Sequence, residues 1–313
     1  MLLAGPGRFA GDERPAPVPG PGQVLVRMEA CGLCASELDV FLGRNPWQQY
    51  PAALGHEGVG RIVALGPGVS RWRAGDRVAA ADGGGCFAEW FTLDADAAVS
   101  VPEEMPAHLA LAEPLGCAVN SVEAIHARPG DTIVVLGAGF MGLALTQLLR
   151  AGLPEWLLVA ARRADARDLA VALGATEACA PDAVQCRVWD LTRGGGADLV
   201  VEATGSEEML AIAASLLRPE GTLAIVGYHQ GHGRRVPIHE WNWKALRIAN
   251  CHFRSRTRIV AGATRGLALA ARGAIDVAPL VTHQFPLSDI QRAFETAAAR
   301  PPGFVKAVLL PDQ

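Results

Sequence analysis

Lysine is almost missing from this 313-residue chain: of 28 basic side chains only Lys244 and Lys306 are lysines, a compositional habit that carries no function by itself. No basic tract interrupts a net charge of -4, which argues against a nucleic-acid surface. No apolar run approaches the ~18 residues that span a bilayer, because Arg150, Pro154 and Glu155 break the longest candidate. The opening Met1-Leu2-Leu3-Ala4-Gly5-Pro6 has neither a basic n-region nor room for an apolar h-region, so a cytoplasmic protein is expected, with no membrane partner. Seven cysteines are too sparse, and odd in number, for a disulfide framework; reduced thiols or metal ligands are expected instead. There is no internal repeat and no low-complexity segment. The length suggests about two domains that bury roughly three quarters of the unfolded surface.

What is present centres on Asp131 to Leu149. The β-branched run Ile133, Val134, Val135 leads into Gly137-Ala138-Gly139-Phe140-Met141-Gly142, and Leu143, Leu145, Leu148 and Leu149 continue with apolar periodicity. Strand, tight turn and helix follow within a few residues. Such a turn needs one glycine for the bend, one for close approach of a pyrophosphate and one for helix packing. The amides of the helix N-terminus then hold the diphosphate. Further βα units follow, so this G-x-G-x-x-G is assigned to dinucleotide binding through Gly137, Gly139, Phe140, Met141 and Gly142.

Residues 1 to about 110 are rich in turns and short strands: Val24 to Met28, Val59 to Leu65, Gly75 to Ala79 and Phe87 to Leu93. That spacing predicts a small barrel. A helical pattern from Ala107 to Ala127 stops at Arg128-Pro129-Gly130. Strands at Ile133 to Leu136, Trp156 to Ala160, Leu199 to Ala203, Leu223 to Val226 and Leu246 to Ala249 then alternate with helices at Met141 to Arg150, Ala164 to Leu173 and Glu207 to Leu217, the rhythm of a parallel sheet. After a helix from Arg258 to Arg272, strands at Val281 to Phe285 and Phe304 to Leu310 flank a helix at Ser288 to Ala299, and this tail is expected to rejoin the first domain.

Cys31-Gly-Leu-Cys34-Ala-Ser36-Glu37 and Gly55-His56-Glu57-Gly58-Val59-Gly60, with the nucleotide fingerprint and Gln284-Phe285-Pro286-Leu287, resemble the zinc-dependent medium-chain dehydrogenase/reductase family over nearly the whole chain. The resemblance implies an α/β fold in which a doubly wound Rossmann sheet (114–255) is inserted in a GroES-like β-barrel catalytic domain (1–113 plus 256–313). It also implies that Cys34 and His56 hold a catalytic zinc. Thiolate and imidazole suit that ion, and a catalytic site keeps three protein ligands and one open position. Glu113-Pro114-Leu115 resembles the polyol and threonine dehydrogenases, so either Glu57 or Glu113 completes the site, the two exchanging during turnover. Cys31 is assigned to packing because no second C-x-x-C follows, and Cys117 to structure.

Three departures from the family shape the expected function. Only Arg77 to Cys86, with a single cysteine, precede Phe87 where relatives often insert a cysteine-rich lobe, so one catalytic zinc and no structural zinc is expected. Ser36 retains the hydroxyl that in relatives exchanges the substrate proton, but Asp39 replaces the histidine of the outward relay, leaving a carboxylate or water as the exit. Finally, an NAD-dependent sheet carries an acid about 20 residues past the glycines. Here Ala161-Arg162-Arg163 occupies that place, and two guanidiniums favour the 2′-phosphate of NADP(H) over NAD(H). Thr204, Gly205 and Gly227 line the path of the nicotinamide, and Lys306 matches a basic family position near the cofactor phosphates, although its strand location also suits a surface lysine. The expected substrate is a small polar alcohol or carbonyl: a polyol, cyclitol, amino alcohol or sugar derivative. Asn120, His229, His232 and His252 are further polar candidates. Family likeness implies a homodimer through the outer sheet edge around Leu246 to Phe253. A metal-free enone or quinone reductase of the same fold, or a non-catalytic NADPH-binding protein, is the alternative.

Overall fold

A computed structural model describes residues 1–11 and 13–312 and divides the chain into two compact units. The first comprises Met1–Cys117, Arg254–Gly273 and the chain from Val277 on; the second comprises Ala118–Phe253 and Ala274–Asp276. The breaks thus fall at 117/118 and 253/254 where the sequence placed them at 113/114 and 255/256, and a three-residue segment after the Arg256–Ala271 helix returns to the second unit.

In the first unit Gln23–Gly32 is the central strand. It pairs antiparallel with Glu57–Leu65 along most of its length, with Trp90–Asp94 at its start and with Ala307–Leu310 at its end. Its alternating Val24, Val26 and Met28 are buried, as a half-covered strand requires. Arg77–Ala80, Ala98–Ser100 and His283–Pro286 extend the same seven-stranded sheet. The tail therefore supplies strands to the sheet that the first residues begin, and Ala307–Leu310 lies directly against Cys31 and Gly32.

Besides the Ala98–Ser100 strand, two features of this unit were not expected from sequence. A hairpin, Leu2–Gly5 with Arg8–Ala10, opens the chain, and a short helix, Ala35–Phe41, follows the central strand. Seven residues are too few for a helical period to be legible, and the helix is fixed by packing instead. Phe41 stacks against Phe9 at 5.8 Å and meets Phe294 of the Ile290–Ala299 helix at 5.1 Å; Phe87 closes the group against Phe294 at 5.8 Å. Such pairs contribute about 0.5–1.5 kcal/mol each beyond their burial. They anchor the helix whose first turn carries Ser36 and Glu37.

The second unit is a six-stranded parallel sheet in the order Glu177–Cys179, Trp156–Ala160, Thr132–Leu136, Ala197–Glu202, Leu217–Ile225, Arg247–Asn250. This is the doubly wound order, in which the direction of succession reverses between Thr132–Leu136 and Ala197–Glu202. The fully buried Ile133, Val134, Val135, Leu199, Val200 and Val201 explain why these strands are nearly continuous apolar runs. Val184–Thr192 forms a helix that the sequence did not announce; only Val184 and Val188 are buried on it. Among the described residues no helix is long and apolar enough to cross a membrane.

Candidate functional site

The metal candidates belong to the first unit, where strand ends and a helix start converge. Donor atoms of Cys34, His56 and Glu57 all lie within 4.8 Å of one another. Cys34 immediately precedes the Ala35–Phe41 helix, and Glu57 begins the strand paired with Gly32. A Cβ on Gly32 would collide with Glu57 Oε2, so the glycine lets the carboxylate lie across the neighbouring strand.

Glu37 organises this group. One oxygen, Oε2, accepts the Cys34 N–H at 3.1 Å; the other, Oε1, accepts the Gly55 N–H at 2.6 Å and lies 2.9 Å from His56 Nδ1. Holding Nδ1 leaves Nε2 as the ring's metal-binding nitrogen, the usual carboxylate–histidine arrangement around zinc. Burial opposes the charged imidazole, but the Glu37 charge and Cys34 outweigh it and raise the His56 pKa well above the ordinary histidine value. The family's aspartate is here a glutamate, and its extra methylene still permits all three contacts.

Lys306 is neither a surface lysine nor unengaged. It is 6% exposed, and its Nζ donates to Glu57 Oε1 at 2.8 Å and to the Leu33 carbonyl at 3.1 Å. Burial works against its charge, yet Glu57, Cys34 and Glu113 outweigh that and raise its pKa. The same Nζ also lies 2.8 Å from Glu57 Oε2, but poorly aligned, so that this buried oxygen accepts no hydrogen bond. A buried carboxylate oxygen that accepts no hydrogen bond costs about 1–3 kcal/mol. With a thiol and an imidazole beside it, the donor set fits zinc, and Cys34, His56 and Glu57 would hold it.

Glu113 and Cys117 face the same cluster from one face of the Ala112–Ile125 helix, four residues apart. The Cys117 thiol donates to Glu113 Oε1 at 3.3 Å. Burial raises the Glu113 pKa, with Glu57 adding to the effect and His56 opposing it. Burial likewise raises Cys117 and Cys31, keeping both as thiols; Cys31 is fully buried beside Cys86. Ser36 lies in the first turn of its helix, while Asp39, in the place of the family's relay histidine, pairs with Arg44 at 3.1 Å.

The dinucleotide candidates belong to the second unit. Gly137 has φ +108°, which glycine adopts without strain, and its N–H donates to Ala160 at 2.9 Å. A Cβ on Gly142 would strike the Gly137 carbonyl, so this glycine lets the Phe140–Arg150 helix start tight against the turn; Gly139 is its N-cap and Met141 lies in its first turn. Thr204 and Gly205 follow Ala197–Glu202, and their amides donate to Glu202 Oε1 at 2.6 and 2.9 Å. Glu202, which the sequence reading passed over, is 0% exposed; its other oxygen lies 2.9 Å from His229 Nε2, and its carbonyl accepts from Gly227 at 2.8 Å. A lone acid ending the run Leu199-Val200-Val201 was its only signal. Arg162 is exposed and no hydrogen bond or ion pair among the described residues engages its guanidinium, whereas Arg163 lies 3.6 Å from Asp165.

Comparison with known proteins shows the family. The alcohol dehydrogenase GroES-like domain matches residues 20–103 and the zinc-binding dehydrogenase family matches residues 140–265. The chain belongs to the zinc-binding medium-chain dehydrogenases. It is 29% identical to an erythritol/L-threitol dehydrogenase of Mycolicibacterium smegmatis, over 99% of this chain and 97% of that protein. It is 28% identical to an L-threonine 3-dehydrogenase of Pyrococcus horikoshii, over 94% and 93%. Among solved structures, a zinc-binding dehydrogenase from Sinorhizobium meliloti 1021 bound to NADP superposes with TM-score 0.83 at 26% identity, covering 99% and 98% of the two chains.

Proposed function

We propose that this chain moves a hydride between NADP(H) and a small polar alcohol or its carbonyl partner, of the polyol, cyclitol, amino-alcohol or sugar class, with one zinc per chain. The observation that carries the proposal is the convergence of Cys34, His56 and the buried Glu57, with Glu57 Oε2 left without a hydrogen bond. When bound, the metal supplies Lewis acidity at the substrate oxygen. The chain's own residues do the rest. Glu37 orients His56 and the Cys34 backbone, and Lys306 balances part of the carboxylate charge. Ser36 exchanges the substrate proton at its hydroxyl, with Asp39 or water as the exit; the Asp39 pairing with Arg44 favours water. Glu113 is the carboxylate that exchanges with Glu57, and burial raises its pKa.

For the cofactor, the Gly137–Gly142 turn holds the diphosphate and Thr204, Gly205 and Gly227 border the nicotinamide. Ala161 removes the acid that would repel a 2′-phosphate, and the unpaired Arg162 supports NADP(H). The relatives named for erythritol, L-threitol and L-threonine support a polar, hydroxyl-bearing substrate. Arg247–Asn250 is an edge strand with Ile248 exposed, and Trp243 just before it is 88% exposed, which supports a homodimer through this edge. The test is metal analysis after dialysis together with kcat/KM for NADPH and NADH on a panel of polyols, amino alcohols and their carbonyl forms. One zinc per chain, turnover of the polar panel and a clear NADPH preference are expected; two zinc equivalents, or activity surviving complete zinc removal, would overturn the reading.

A further inference from the structure

Arg167 offers phosphate chemistry beside Arg162 and Arg163, the pair on which the sequence placed it. It lies within the Ala164–Ala172 helix, and its Nη1 donates to two consecutive carbonyls at the end of the Trp156–Ala160 strand, Ala161 at 2.9 Å and Arg162 at 2.8 Å. Its Nε and Nη2 have no partner among the described residues, and no acid pairs with it. Arg163, by contrast, is turned to Asp165 at 3.6 Å. The position of Ala161 is where an NAD-dependent sheet presents a carboxylate to the ribose 2′-hydroxyl. Uncovered carbonyls there would also repel a phosphate. One guanidinium nitrogen shared between both covers that acceptor edge, leaves Nε and Nη2 as donors beside it, and fixes the backbone from which Arg162 projects.

We propose that Arg167 is a specificity-determining residue, forming with Arg162 the binding site for the 2′-phosphate of the cofactor, while Arg163 contributes little. This inference rests on the NADP(H) reading given above. One charge-assisted hydrogen bond to a phosphate corresponds to roughly a 10- to 100-fold change in affinity.

The test compares wild type, Arg162→Met, Arg163→Met, Arg167→Met and Arg167→Lys of the zinc-loaded enzyme by kcat/KM with NADPH and NADH, and by titration with adenosine 2′-phosphate against adenosine 5′-phosphate. Circular dichroism checks folding. Arg167→Met is expected to lose at least about tenfold more with NADPH than with NADH and to lose the 2′-phosphate selectivity; Arg167→Lys, charged but without the second and third nitrogens that would serve the phosphate, falls between, and Arg163→Met changes the ratio less than about threefold. A wild-type preference for NADPH that survives in Arg167→Met but collapses in Arg162→Met or Arg163→Met overturns the role of Arg167 alone. A wild type without that preference overturns the NADP(H) reading itself, and the inference with it.

Discussion

The metal group of the first unit is built from charges: Glu37, Glu57 and Lys306 are 4%, 1% and 6% exposed and bind one another's neighbours through side chains. The glycine turn of the second unit carries no charge at all and works through backbone amides and the absence of Cβ atoms. Where the ligand is a compact cation that must be gripped in a dry site, each donor needs an outer partner to fix its direction and its protonation state. Where the ligand is a long, solvated dinucleotide, close approach of the main chain does the same work, and on the proposed reading charge enters only at the far end through Arg162 and Arg167. One consequence is that damage to the first site should propagate into stability, while damage to the second should stay local.

The largest effect separates the two sites. Cys34→Ser is expected to reduce turnover by more than about 10³-fold, because it removes the one sulfur donor of the trio, while NADPH affinity changes by less than about twofold. Steady-state assays and fluorescence titration of NADPH check the two halves; turnover retained by the zinc-free variant would end the metal reading. Next is the buried ion pair. Lys306→Met leaves Glu57 as an uncompensated buried carboxylate, a loss of about 3–5 kcal/mol. In the metal-free protein this should lower the melting temperature by roughly 5–15 °C. Zinc restores a positive partner to Glu57, so the loss should shrink on metal loading; an equal fall with and without zinc would mean that Lys306 supports packing only.

How much of this was legible beforehand differed between the units for a physical reason. The cradle from Gly137 to Gly142 is a local device, one strand, one turn and one helix, so its residues are neighbours in sequence and its spacing announces the fold. The barrel site is non-local. Cys34 and His56 were legible as motifs, but the bond from Glu37 to Gly55 spans 18 positions and that from Lys306 to Glu57 spans 249, and no spacing rule carries that information. Lys306 in particular was expected near cofactor phosphates or on the surface, because a strand position by itself does not say which face is buried. The Val184–Thr192 helix and the Glu177–Cys179 strand were missed for a third reason: they cover an edge of the sheet with few buried side chains, so their apolar pattern is thin.

Glu37 offers a sharper probe of the non-local site. Glu37→Gln keeps the size and one acceptor oxygen but removes the charge beside His56 and one of the two acceptor oxygens that serve Cys34, Gly55 and His56. Zinc affinity, measured by chelator competition, is expected to weaken by about 10- to 100-fold, with turnover recovering as zinc is raised. Unchanged affinity would show that His56 is oriented by packing and not by the carboxylate.

The smallest effect uses a carboxylate pair of the second unit as the counterpart of Glu57 and Lys306. Glu177 and Arg187 meet at 2.6 Å, but both are about a third exposed in their side chains, 31% and 37%. The hydrogen bond from Arg187 is the main cause that holds the Glu177 carboxyl below its usual value. A depressed folded-state pKa contributes stability above the unfolded value of about 4.3, and that contribution disappears as pH falls through the folded value. Because water and salt screen an exposed pair, Glu177→Gln should lower the melting temperature by no more than about one or two degrees at pH 7, by less in ~1 M salt, and not at all near pH 3. Melting curves of the variant and wild type at these pH values and salt concentrations check this. A loss as large as that of Lys306→Met, or one indifferent to salt, would show that this edge of the sheet is as tightly built as the metal group and would remove the contrast between the two units.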